Sequence, residues 1–368
     1  MLVTNEILDR AHNKALDLEP EESAELAGLC YVRVDDLSIE RKKVGRGFSY
    51  FDGSGDRITQ EIELERLKSL VIPPALNDVR ICHLANGHLQ ATGRDAKKRK
   101  QYFYHPQWRK IRSQHKFNRM LLFGASLPKI RATTDKHLRK RGLPPEKVLA
   151  TVVQLLETTL IRIGNDQYAQ KNQSFGLTTM RGRHVEIIGK QVKFEFRGKS
   201  GIDHEIKLTD RRLANVIKQC REIPGYEIFK YYDESGDRHF INSEDVNEYL
   251  QEITGQDFTA KDFRTWAGTL LAAIELEQLG KFDSAKQAQK NITQAIKNVA
   301  KQLGNRPATC RKYYVHPAIL EAYQNGVLLD LVSQMAVTNG KNDELNYTEK
   351  VVLKIIKEAL PIVIKNIV

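Results

Sequence analysis

The chain has 368 residues, a length that predicts two or three domains, and 41% of them are hydrophobic, enough for globular cores. Lys and Arg number 58 against 46 Asp and Glu, a formal charge of +12 that favours a polyanionic partner. No apolar run approaches the roughly 18 residues of a membrane span, so nucleic acid is expected rather than a membrane. Cys30, Cys82, Cys220 and Cys310 are too scattered for a zinc site or a disulfide framework. Neither a GxxxxGK[ST] phosphate loop nor an HExxH helix occurs, so no cofactor, nucleotide or metal is expected. The acidic start, "MLVTNEILDRAHNKALDLEPEE", lacks the apolar core of a signal peptide, and a cytoplasmic location is expected.

In chain order, residues 28–105 read as β-rich. "CYVRVD", "GFSYFD", "VRICHL" and "HLQATG" cluster or alternate β-formers between turns such as "DGSGD" and "ANGH". "LVIPPALNDV" is extended or turned, because two prolines cannot sit inside a helix. From about Pro106 the pattern becomes helical. "PPEKVLATVVQLLETTLIRIGN" repeats apolar residues at helical spacing, with Pro at its start and Gly at its end. "HVEIIGKQVKFEFRGKSGIDHEIKL" predicts three short strands with a Gly-Lys pair in each turn. Helices follow in "DRRLANVIKQCREI", "SEDVNEYLQEI", "AKDFRTWAGTLLAAIELEQL" and "SAKQAQKNITQAIKNVAKQL", and a last one is broken at Pro361. The expected fold is α+β and multidomain: a small β-rich N-terminal domain over residues 1–105, then a larger, mainly α-helical domain over residues 106–368 with a small antiparallel sheet.

Two regions carry candidate chemistry. Between Arg94 and Arg119 stand ten Lys or Arg and one acid, Asp95, interleaved with Tyr102, Phe103, Tyr104, Trp108 and Phe117. Cations neutralise phosphates and aromatics stack on bases, so this connector suits DNA or RNA; a solvated basic face over core aromatics has the same composition. The second region is dispersed. Arg162 ends an apolar helix, where it either snorkels to water or enters a site. Lys199 sits at a hairpin tip, and Lys261 and Arg264 lie near a helix start, where the dipole favours an anion. Asn305 occupies the "LGNRP" turn, and Tyr313 and Tyr314 follow Arg311 and Lys312. Each has an ordinary structural reading.

In this order, however, "GRGFSYFD", "ATGRDAKKRKQYFYHPQWR", "IRIGN", "FGLTTMRGRHVEI", "FRGKSGIDHEI", "KDFRTWAGT" and "LGNRPATCRKYYVHP" resemble the type IB DNA topoisomerases, in their compact poxvirus-like bacterial branch. The match runs from about residue 45 to 317. It implies Tyr314 as nucleophile, Arg162 and Arg264 as the phosphate clamp, Lys199 as general acid and Asn305 as a hydrogen-bond donor where many members carry His. It also implies DNA contacts from Gln101, Tyr102 and Tyr104, and Lys261 matches the basic partner of its Lys-x-x-Arg pair; Lys261, with Arg99 and Lys100 of the basic connector, is a further DNA-contact candidate. The implied reaction swaps one phosphodiester for another through a phosphotyrosine. It needs neither ATP nor a metal and relaxes supercoiled duplex, with a monomer clamped on DNA in the nucleoid.

These residue types suit that chemistry. A phenol, with a pKa near 10, is a poor nucleophile unless cations help it, and guanidiniums present fixed forks of donors to the equatorial oxygens of a phosphorane. A 5′-alkoxide leaves only if protonated, which a lysine can do. Tyrosine recombinases share the same list. Their second arginine usually follows His-x-x rather than Lys261, and their N-terminal domain is generally helical. A DNA-binding module that retains the fold without the chemistry is the remaining alternative.

Overall fold

The computed structural model describes residues 20–96, 98–338 and 344–359. They divide into two compact units, one up to Arg119 and one from Met120 onward. The fold is α+β and multidomain.

The first unit is built on an antiparallel sheet of β1 (Ile39–Val44), β2 (Gly47–Phe51), β3 (Asn77–Ile81), β4 (Leu89–Arg94) and β5 (Lys100–Tyr104), in the order β2-β1-β3-β4-β5. Its alternation puts Ile39, Tyr50, Val79, Ile81 and Ala91 on one buried layer, closed by Leu67 of a short helix, Glu61–Ser69. A preceding helix, Pro20–Leu26, sets Ala24 against Leu29 and Trp108. We call these helices α2 and α1. "GFSYFD", "VRICHL" and "HLQATG" supply β2, β3 and β4 as expected. "CYVRVD" does not form a strand. Cys30 makes a single parallel bridge to Gly87, and Val34–Asp36 tightens into a helical turn whose Asp36 carboxylate accepts from the Arg33 N–H at 2.8 Å. Conversely, "IERKKV" is too charged to read as a strand but forms β1, where Glu40 pairs with Arg80 at 2.6 Å across the sheet. The basic stretch "KQYFY" forms the edge strand β5.

The division between units falls inside the helix α3 (Pro106–Leu138). The second unit is mainly helical, with α4 (Pro145–Thr159), α5 (Asp166–Asn172), α6 (Arg211–Glu222), α7 (Ser243–Thr254), α8 (Ala260–Leu279) and α9 (Ala285–Gln302). Four more follow: α10 (Pro307–Tyr313), α11 (Pro317–Gln324), α12 (Val327–Thr338) and α13 (Tyr347–Glu358). The starts are written in the sequence: Asp210 accepts from the Arg212 and Leu213 N–H groups, and Ser284 from that of Gln287. The expected three-stranded sheet is present as β6 (Val185–Ile188), β7 (Gln191–Arg197) and β8 (Asp203–Thr209), all antiparallel. A second hairpin, β9 (Lys230–Tyr232) with β10 (Arg238–Phe240), turns through "DESGD" and was not legible in three-residue strands. The expected helix break at Pro361 lies outside the described residues.

The core of this unit stacks rings edge to face. Phe123 of α3 meets Phe258 at 5.2 Å and Phe263 of α8 at 4.9 Å. Helix α4 buries Val148, Val152, Leu155 and Leu156. It ends at Thr159, earlier than its periodicity predicts, because Leu160 turns left-handed at φ 56°. Arg162 therefore stands beyond the helix rather than on its last turn.

Arg131 ties three helices, bonding Glu349 of α13 at 2.6 Å and Glu157 of α4 at 2.7 Å, with the Glu349 side chain 2% exposed. Arg131→Ala would strand that carboxylate. We expect it to lower the unfolding free energy by about 3 kcal/mol in urea titrations, with Glu349→Gln recovering part of the loss.

Candidate active site

Arg264 enters α8 one turn after its N-cap, where the Asp262 carboxylate accepts from the Thr259 N–H at 2.8 Å. Its side chain is buried, 5% exposed. One guanidinium nitrogen, Nη2, donates to the Leu303 carbonyl at 2.6 Å, and Nη1 donates to the Leu160 carbonyl. Leu160 precedes the segment carrying Arg162, and Leu303 precedes the turn carrying Asn305. A single side chain thus fixes both segments against α8. Its Nε is buried without a hydrogen-bond partner.

Arg162 lies in extended chain held by the Leu177 N–H donating to its carbonyl at 2.9 Å. Its Nη2 donates to Asn305 Oδ1 at 2.5 Å and to the Gly304 carbonyl at 3.3 Å. The Asn305 N–H donates to Ala300 at 2.8 Å, locking the turn, while the amide Nδ2 is buried with no partner. Burial pushes both guanidinium pKa values down. Each also feels Tyr314, which opposes that shift, and at Arg264 the charge of Arg162 adds to the lowering. Guanidinium basicity is high enough that both stay cationic.

Tyr314 caps α10 at φ −127° and ψ −11°, with its N–H on the Cys310 carbonyl at 2.9 Å. Thr269 of α8 clips the segment twice: its hydroxyl donates to the Tyr314 carbonyl at 3.2 Å and accepts the His316 N–H at 3.0 Å. One residue earlier, a Cβ on Gly268 would stand 2.5 Å from the Tyr314 carbonyl oxygen and 2.9 Å from its Cβ, so only glycine admits this approach. The Tyr314 ring lies 5.6 Å from the Arg264 guanidinium carbon. Tyr313 is different: it is 47% exposed, with Lys312 over its ring at 5.2 Å.

The structure therefore brings Arg162, Arg264, Asn305 and Tyr314 together. Lys199 is exposed, in the turn between β7 and β8, where Ser200 takes a left-handed φ of 67°. Lys261 is exposed in the first turn of α8. In the first unit, Arg99 and Gln101 bond the Asp95 carboxylate, at 2.8 and 3.0 Å. Lys100 lies 5.7 Å over the Tyr102 ring, and Tyr102 stacks on Tyr104 at 6.1 Å. Tyr102 is the most exposed member of that pair, at 45%.

Sequence reasoning passed over Gly268, Thr269 and His204. Their types are common in helices and strands, and only the crossing of α8 with the Tyr314 segment, and of β8 with the Asn305 turn, gives them a task. A glycine inside an otherwise helical pattern, in "AGT", was the available signal for the first two.

One buried guanidinium, one half-buried guanidinium and an amide donor beside a phenol form a donor set suited to an enzyme that handles phosphate esters. Comparison with known proteins agrees. Residues 105–335 match the family model described as "Eukaryotic DNA topoisomerase I, catalytic core", and residues 47–95 match "Bacterial DNA topoisomerase IB, N-terminal domain". DNA topoisomerase 1B of Acanthamoeba polyphaga mimivirus is 32% identical over 296 residues, covering 78% of this chain and 88% of the relative. DNA topoisomerase 1B of vaccinia virus (strain Copenhagen) is 26% identical over 281 residues, 73% of this chain and 85% of the relative. The chain belongs to the type IB DNA topoisomerase family. It is an enzyme of that class, and its substrate is DNA.

Gly268→Ala favours the helix but pushes a methyl into the Tyr314 backbone. With Tyr314 as the attacking residue, single-turnover cleavage should fall about 10²-fold, the cost of a small misplacement of the reacting group, with duplex binding retained. A pH effect follows from His316, 7% exposed, whose Nδ1 accepts the Ala318 N–H at 3.1 Å. Burial pushes its pKa down to about 4, so the native state excludes a proton that the unfolded chain binds below about 6.5. This contribution, about 3 kcal/mol, is complete above pH ~6.5 and lost as the pH falls toward 4. His316→Asn, which keeps the capping acceptor, should flatten the pH dependence of unfolding in that window.

Proposed function

We propose that the enzyme relaxes positive and negative supercoils by transient cleavage of one strand. The observation that carries this reading is the burial of Arg264 between Leu160 and Leu303, with Tyr314 rather than Tyr313 beside it. The Tyr314 oxygen attacks phosphorus and gives its proton to water. The bond to O5′ breaks, leaving a 3′-phosphotyrosine, and Lys199 protonates the departing oxygen. In the return step the 5′-hydroxyl gives its proton to the Lys199 amine and attacks phosphorus, and the Tyr314 phenolate leaves and takes a proton back from water.

Arg162 and Arg264 stabilise the equatorial oxygens, and the Asn305 Nδ2 adds a neutral donor. Lys199 on its exposed hairpin can approach a bound duplex. The exchange replaces one phosphodiester by another, so no ATP is needed, and the chain's own cations neutralise the phosphate without a metal ion. We infer a monomer that follows the duplex backbone with Lys261 and, from the N-terminal unit, Arg99, Lys100, Gln101, Tyr102 and Tyr104. Supercoiled DNA of the nucleoid is the substrate this reading implies. No helix among the described residues is long and apolar enough to cross a membrane.

Relaxation of negatively and positively supercoiled plasmid, in EDTA and without ATP, tests the proposal. Wild type should relax both signs. Tyr314→Phe should relax neither while binding duplex nearly as well. Relaxation that requires ATP or a divalent ion, or that survives Tyr314→Phe, would overturn it.

A further inference from the structure

The imidazole of His204 occupies a position that neither its sequence context nor the reaction above explains. It projects from β8 directly opposite Phe196 of β7, and the two rings stack at 5.1 Å and 18°. Its outer edge lies between two glycines from different segments. A methyl on Gly198 would stand 2.6 Å from its Cδ2 and 2.7 Å from its Nε2. A methyl on Gly304 would stand 2.6 Å from its Cε1. Gly198 immediately precedes Lys199 and closes the hairpin, its N–H donating to the Ile202 carbonyl at 2.7 Å. Gly304 immediately precedes Asn305, and its carbonyl accepts from Arg162.

We propose that His204 is a positioning residue: filling the space between Gly198 and Gly304, it sets the Lys199 hairpin relative to the Asn305 turn and so aims the lysine at the leaving oxygen. This rests on the reading of Lys199 as general acid. Burial and the charges of Arg162 and Arg264 keep the ring neutral, which suits a spacer beside two cations. The two glycines follow from the same geometry. Gly198 adopts an ordinary extended φ of −95°, which any residue tolerates, so its lack of a side chain answers to the imidazole and not to the backbone.

The test is single-turnover cleavage of two duplexes, one with an ordinary phosphodiester and one with a 5′-bridging phosphorothiolate, whose sulfur leaves without an acid. Lys199→Ala is the control: it should lose about 10²-fold or more on oxygen and regain the wild-type rate on sulfur. His204→Ala should lose about 10²-fold on oxygen and likewise recover on sulfur, because its defect is delivery of the proton. Gly198→Ala, which leaves the imidazole in place, should show the same pattern and carries the test if His204→Ala does not fold. The double variant should be no slower than the slower single one, since the added methyl enters the space the imidazole vacates. Equal slowing on both substrates, or additive losses in the double variant, would overturn the positioning role. Failure of Lys199→Ala to recover on sulfur would instead remove the acid assignment itself.

Discussion

The site depends on one buried cation. Arg264 could have been satisfied by a carboxylate. Instead it donates to two main-chain carbonyls, those of Leu160 and Leu303. Carbonyls offer partial charge without neutralising the guanidinium, so the group is held rigidly and its positive field remains. Those two carbonyls belong to the residues that lead into Arg162 and into Gly304 and Asn305. The same interaction that holds Arg264 therefore sets the segments that carry Arg162 and Asn305.

The cost of this arrangement is visible in unsatisfied donors. Asn305 Nδ2 and Arg264 Nε are buried without partners, and each such group costs about 1–3 kcal/mol. A fold maximised for stability would bond them. Left unbonded, they are the donors that the proposed reaction would use for the oxygens of its phosphate. Tyr314 reaches the same place through α8 again: Thr269 and Gly268 seat its backbone, and Arg264 flanks its ring. Helix α8 thus carries the buried cation and the seat of Tyr314 within two turns.

Much of this was legible in the sequence, for physical reasons that differ by element. The helices of the second unit announced themselves through apolar periodicity; in the structure Asp210 and Ser284 cap two of them. The three strands of residues 185–209 showed period-two alternation between Gly-Lys turns. "CYVRVD" misled because β-formers alone do not make a strand; its neighbours offered Cys30 one bridge only. "IERKKV" was hidden because its charges pair across the sheet, which no local pattern shows. At the site, motif order placed Arg162, Arg264, Asn305 and Tyr314, and the structure brings these four together. The left-handed Leu160 that moves Arg162 off its helix, and the contacts of Gly268 and His204, depend on segments far apart in the chain and were invisible.

We propose Tyr314, not its exposed neighbour Tyr313, as the residue that the Arg264 field serves. The most direct measurement is to trap the covalent adduct on a duplex labelled separately at each end of the cleaved strand, then digest it and locate the modified residue by mass spectrometry. The account predicts a single adduct through Tyr314 to the 3′-phosphate side of the break. An adduct on Tyr313, or one joined to the 5′ side, would contradict it.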